Sequence, residues 1–231
     1  MFAPAFRVTL PQTSGSLLES CARALHGDRC YQNRGKLMRQ IRFHFDLDKV
    51  INALAFFSRH GVNTLDQMTI SKLLFLADRA HLLRYGRTIT GDKYVCMVHG
   101  PVPSATRDLV NARFADDKDA IEMLAYFDVR KGTYPELVAK CEPDLDVFSD
   151  SDIEVLTEIA KDHGSKKPLQ LRDLTHEFPA VKAALAARIA EKKNVIPLPF
   201  ESFFDVPESA SMSNIVREDQ EDRDFAESLA W

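Results

Sequence analysis

The segment QMTISKLLFLADRAHLLRY, residues 67–85, constrains this chain more than any other. Ile70, Leu73, Leu74 and Ala77 recur at helical spacing, while Leu76, Leu82 and Leu83 widen the stripe beyond what one buried face requires. A helix that is apolar on most sides has to be wrapped by other elements, which places this one at the centre of a core. Thr64-x-x-Gln67 has the spacing of a capping box at its start, and Gly86 stops it. Just upstream, Asp46 is placed to cap a helix whose Leu47, Val50, Ile51, Leu54, Ala55 and Ser58 share one face before Gly61.

Further along, residues 93–99 alternate like a strand that Gly100-Pro101 ends. Ser104 then caps a helix carrying Leu109, Val110 and Phe114, and residues 126–142 read as two short strands joined by a turn at Gly132. Ser151-x-x-Glu154 supplies a capping box for a helix with Ile153, Leu156, Ile159 and Ala160 on one face, ended by Gly164. A short helix over 169–176 follows, then a longer one from Pro179 to about Lys193 built on Val181, Leu185 and Ile189. The expected fold is α+β: a mostly α-helical single domain of six or seven helices around the 47–85 pair. Segments 93–99 and 126–142 are expected to form its small antiparallel β-sheet.

Of the 231 residues, 45% are hydrophobic and 28% charged, an ordinary globular balance that excludes collagen-like or wholly disordered chains. Four cysteines without a C-x-x-C pair make neither a disulfide framework nor a common zinc layout, which fits a reducing cytoplasm. The most apolar runs, 50–57 and 73–77, fall far short of the roughly 20 residues that cross a bilayer, so a soluble protein without a membrane partner is expected. The net charge of -4 is unevenly spread. Residues 1–45 carry seven Lys/Arg against two Asp/Glu, and residues 205–231 carry eight Asp/Glu against two Arg. Three regions follow: a basic N-terminal extension at 1–45, a domain at 46–204 and an acidic mobile tail at 205–231. The helical period begins only past Met38, so residues 1–37 read as an extension or as translation assigned from an upstream start; an Arg-rich, acid-poor stretch of this kind also has the character of a transit peptide.

Chemical motifs are sparse. Cys96 and His99 are the one local thiol–imidazole pair, but three residues apart on a strand they point to opposite faces, so a buried structural thiol is the better reading. The seven histidines show no H-x-x-x-H or H-E-x-x-H spacing, and no Walker loop, G-x-G-x-x-G or G-x-S-x-G is present. No metal, cofactor or catalytic residue is therefore assigned. A helix-turn-helix can be drawn from the helices flanking Gly61, with Gln67, Thr69, Ser71 and Lys72 as base readers. The apolar interior of the second helix and the slightly acidic domain speak against nucleic acid as a partner.

Three ordered motifs carry a family resemblance. Lys72, Leu73, Leu74 and Asp78 form a K-L-L-x-x-x-D helix; Tyr85, Gly86, Gly91, Asp92 and Tyr94 form a turn into a strand; His99, Gly100, Pro101 and Val102 form a G-P-V loop feeding the next helix. With Ser149, Gly164, Leu171, Leu174, Thr175 and His176 in the second half, residues 46–193 resemble the Panacea domain, the SocA-like antitoxin family that includes many phage-associated proteins. A Trp often found after the Thr-His pair is replaced here by Ala180-Val181.

The resemblance implies an antitoxin of a toxin–antitoxin pair that binds and neutralises a toxin encoded nearby, with no catalytic residues to transfer. The family-motif positions are Lys72, Asp78, Tyr85, Gly91, Asp92, Thr175 and His176. Tyr94, His99, Gly100, Pro101 and Val102 are the first candidates for partner binding, although the same loop reads as a rigid connector. The acidic C-terminal segment, with Phe225 and Trp231, is a second candidate, suited to a basic toxin surface. The alternatives are an adaptor that hands the toxin to an ATP-dependent protease and a DNA-binding autoregulator that uses the basic N-terminus.

Overall fold

Helix α2 (Gln67–Tyr85) is enclosed along most of its length, with twelve of its nineteen residues buried and on every side of the helix. The computed structural model describes residues 40–111, 118–130 and 135–229; the expectations for residues 1–37 lie outside these. Helix α1 (Leu47–Arg59) is amphipathic, and Asp46 caps it by accepting the Lys49 N–H at 3.0 Å. The cap of α2 is Asp66 and not the expected Thr64: its carboxylate accepts the Thr69 N–H at 2.7 Å, from the residue directly before the first helical turn.

Helices α3 (Ser104–Val110) and α4 (Lys118–Ala125) lie beside each other, and the second was not anticipated. Helices α5 (Asp150–His163) and α6 (Pro168–His176) pack on α2, and α7 (Pro179–Ala190) lies against α6. The capping box of α5 is Ser149 with Asp152, two residues earlier than the expected Ser151 and Glu154, because Ser151 Oγ is engaged by His81 instead.

The strands form two sheets, where one was expected. Strands β1 (Tyr94–Met97) and β2 (Gly100–Pro103) are an antiparallel hairpin, with Tyr94 opposite Pro103 and Met97 opposite Gly100. Strands β3 (Phe127–Arg130) and β4 (Glu136–Ala139) pair separately. Gly100-Pro101 therefore begins a strand and does not end one. Prolines 101 and 103 are tolerated because β2 is an edge strand, where a missing N–H need not break a ladder. The other edge of β1 is covered by β5 (Ile196–Leu198).

Phe75, near the middle of α2, joins these layers. Its ring meets Tyr94 and Phe178 edge-on at 5.7 Å each and Phe203 at 5.2 Å. Phe200 extends this cluster to Phe43 at 5.0 Å. Arg79 lies 4.4 Å over the Phe178 ring and pairs with Asp205. The packing reaches upstream of Asp46, since Ile41 is buried and its N–H is accepted by Glu201.

Within the acidic stretch past 205, the chain forms α8 (Ala210–Leu229). Only Met212 and Val216 give this helix an apolar anchor, and its inner stripe continues as Gln220 and Asp224, which bind the Arg42 N–H and guanidinium. A stripe that turns polar after one helical turn carries no hydrophobic period, so α8 is hard to see in the sequence.

Gly91, at φ +66°, allows the 40–46 segment to lie against the turn before β1. A Cβ there would come 1.8 Å from the His44 carbonyl oxygen. Gly91→Ala is expected to cost at least about 2 kcal/mol, from left-handed strain and the backbone clash together; equilibrium urea unfolding measures it.

Candidate functional site

Several polar side chains buried in the core converge on the segment that runs from residue 88 through β2. Asp78 is fully enclosed on α2 and forms no ion pair among the described residues. Its Oδ1 accepts the Ile89 and Thr90 N–H groups at 2.8 and 2.9 Å, and its Oδ2 accepts the hydroxyls of Thr90 and Tyr94, the latter at 2.8 Å. Burial raises the Asp78 carboxyl, and these four donors oppose that rise.

Lys72, six residues earlier and about 9 Å along the helix axis, donates from Nζ to the Pro101 carbonyl at 2.7 Å. Burial pushes its ammonium down to about 7. Asp92, buried at the head of the hairpin, accepts the Ala105 and Thr106 N–H groups at 3.0 and 2.8 Å and the Thr106 hydroxyl at 2.8 Å. It thus does from outside the helix what the expected Ser104 cap does not, because α3 has no side-chain cap of its own.

His176, at the C-terminal end of α6, closes the far side. A Cβ on Gly100, at φ +90°, would approach its Cδ2 and Nε2 to 2.9 Å and Lys72 Nζ to 3.4 Å, so only glycine fits. The imidazole is held below its ordinary value first by burial, then by the nearby positive charges of Lys72 and Arg172. Thr175 is buried and returns its hydroxyl to the Arg172 carbonyl at 2.9 Å.

Of the five partner-binding candidates, Tyr94, Gly100, Pro101 and Val102 are buried and His99 is exposed. A rigid surface can present His99 and its neighbour Val98, which is 53% exposed, at the hairpin turn. The other four can act only from behind it. The seven motif positions separate in the same way. Lys72, Asp78, Gly91, Asp92, Thr175 and His176 hold the hairpin and its surroundings, whereas Tyr85 sits outside, donating its hydroxyl to Glu154 at 2.9 Å.

Cys96 is enclosed and His99 is exposed, so the pair does not meet. Burial also raises the Cys96 thiol, which keeps it from the nucleophilic thiolate form. Of the four candidate base readers, Thr69, Ser71 and Lys72 are buried and only Gln67 is exposed, so most of the residues a recognition helix would need cannot reach a base edge.

A second buried network was not foreseen. Asp152 lies within 2.9 Å of Lys49 Nζ, 2.9 Å of Arg87 and 3.1 Å of His81 Nε2. Burial alone would raise its carboxyl, but His81, Lys49, the Ser149 N–H and Arg87 together hold it well below the carboxylate range. The His81 Nδ1 faces the Arg87 carbonyl at 2.8 Å and so carries a proton, while Nε2 also meets Ser151 Oγ at 3.0 Å. This cluster clamps α1, α2 and α5. The spacing of Ser149 and Asp152 was the one sequence signal for it.

Asp78→Ala would leave two N–H groups and two hydroxyls without their acceptor, at an expected cost of about 3–5 kcal/mol. Asp78→Asn keeps an acceptor for the N–H pair and should lose much less; comparison of the two by chemical denaturation checks this. Lys72 gives a pH test. It titrates near 7 when folded against 10.5 ordinarily, so the unfolded chain binds more protons between those values. Its contribution to stability therefore rises with pH across that window and is least favourable below it. Relative to Lys72→Met, the wild type should gain close to 1.4 kcal/mol per pH unit there, about 5 kcal/mol in all.

Residues 70–180 match the family model described as the antitoxin SocA-like Panacea domain, a span narrower than the 46–193 expected. No curated protein and no solved structure matches the chain. The matched span opens in the first turn of α2 and closes at the start of α7, enclosing Lys72, Asp78, Asp92, the hairpin and His176. Over these residues the chain is similar to the antitoxin SocA-like Panacea domain.

Proposed function

We propose that this protein is the antitoxin of a toxin–antitoxin pair and neutralises a nearby-encoded protein toxin by direct contact. The match of residues 70–180 to an antitoxin family carries this reading. The local geometry supports it, because Lys72, Asp78 and Asp92 spend their polar atoms on internal partners. Such bonds hold a shape and leave recognition to the surface.

The turn Val98-His99 is the contact element, with Tyr94, Gly100, Pro101 and Val102 as its scaffold. Val98 and His99 are exposed at the tip of a hairpin whose base is fixed by Asp78 and Lys72. A pre-organised turn loses little conformational entropy on binding, and a few desolvated side chains can carry most of the affinity. Val195, 39% exposed, directly precedes β5 on the neighbouring edge and extends the apolar surface.

Induction of the adjacent gene alone should arrest growth, and co-expression with this chain should restore it and yield a complex that co-purifies. Val98→Asp with His99→Glu should remove both effects without changing the thermal midpoint. Protection that persists in protease-deficient cells identifies masking, and its loss there identifies hand-over to a protease. Toxicity with neither rescue nor association overturns the reading for that pair.

A further inference from the structure

Helix α8 has two faces with different chemistry. Its inner stripe, Val216, Gln220 and Asp224, is buried against the body. Opposite lie Ile215, Glu218, Asp222, Phe225 and Leu229, spaced alternately three and four residues apart, and all are exposed. That spacing aligns five side chains along one side of a helix. Phe225 is 65% and Leu229 70% exposed, and Ile215 is 51% exposed. Phe225 and Leu229, adjacent on the stripe, with Ile215 at its other end, give an otherwise charged helix apolar anchors for a packing partner.

The charges decide the kind of partner. Glu218 and Asp222 occupy the middle of the stripe, between Ile215 and Phe225, with Asp219 beside them. Two copies of this helix in a coiled coil would bring these carboxylates together at the seam, and like charges there oppose association. A groove with an apolar floor and Lys or Arg along its rim satisfies both halves of the pattern. It accepts Phe225 and Leu229 and neutralises Glu218 and Asp222.

We propose that the outward stripe of α8 docks into an apolar groove rimmed by basic residues on the toxin. This rests on the antitoxin reading and adds to it a second contact surface, outside the family-matched span, and a partner of defined charge. The stripe is separate from the residues that hold α8 in place, so it can be altered without releasing the helix. Docking by an amphipathic helix into a groove uses anchors at this same three–four spacing.

The test uses the full chain and the purified toxin. Phe225→Ser with Leu229→Ser, and separately Glu218→Lys with Asp222→Lys, are compared with wild type by titration calorimetry and stopped-flow association over a salt series. Each pair should weaken the complex by about tenfold or more. The charge reversal should in addition slow association and abolish its salt dependence. Far-UV circular dichroism and the thermal midpoint should not change, since the replaced side chains are exposed. If wild type binds and rescues and both variants do so equally, this proposal falls alone. If wild type neither binds nor rescues, the antitoxin reading falls and takes this proposal with it. A wild-type dimer that Phe225→Ser with Leu229→Ser dissolves would also overturn it, by assigning the stripe to a second copy of the chain.

Discussion

Two charged side chains on α2, both out of reach of water, tie the helix to the segment that follows it. Asp78 gathers four donors from the turn at Ile89-Thr90 and from Tyr94, and Lys72 takes the Pro101 carbonyl from the opposite strand of the hairpin. Among the described residues neither forms an ion pair, so the cost of burying each charge is offset by hydrogen bonds or, for Lys72, by loss of the proton. An unmade bond in such surroundings is costly, and this asymmetry fixes the hairpin in one position more firmly than apolar contact alone would.

The same hairpin links the other layers. Tyr94 joins Phe75 and Phe203 in the aromatic cluster, Asp92 holds the start of α3, and Gly100 lets His176 of α6 approach the edge strand. The motif shared with the SocA-like Panacea domain is therefore largely a set of internal bonds. Apart from Tyr85, its hydrogen-bonding groups face inward, while the turn at Val98-His99 and the outer side of α8 face outward. A frame held by buried polar bonds can keep its shape while the exposed residues vary.

Much of the framework was legible from residues 46 to 190. The alternation of apolar residues gave α1, α5 and α7, and the all-round apolarity of α2 gave its central place. The caps were misplaced by one or two residues because several Ser, Thr and Asp side chains sit near each helix start, and backbone geometry selects among them. Strand β2 was hidden by its prolines, which mark loops in sequence yet fit an edge strand. Three residues of β5 carry too little pattern to be recognised before a partner strand is known. The candidate site was legible as a motif, but not its division into Tyr94, Gly100, Pro101 and Val102 inside and His99 outside, because burial depends on what packs over the hairpin.

By itself the sequence determined the helical class, the central α2 and the family motif, since these rest on local periodicity and on ordered residue types along one stretch of chain. Tertiary structure alone decided that Lys72 and Asp78 serve the same hairpin, that Asp92 caps a helix thirteen residues away in the chain, and that Asp152 collects Lys49, His81 and Arg87. It also separated the two faces of α8. Each of these is a contact between residues distant in sequence, and its free energy depends on desolvation and distance, which no local pattern encodes.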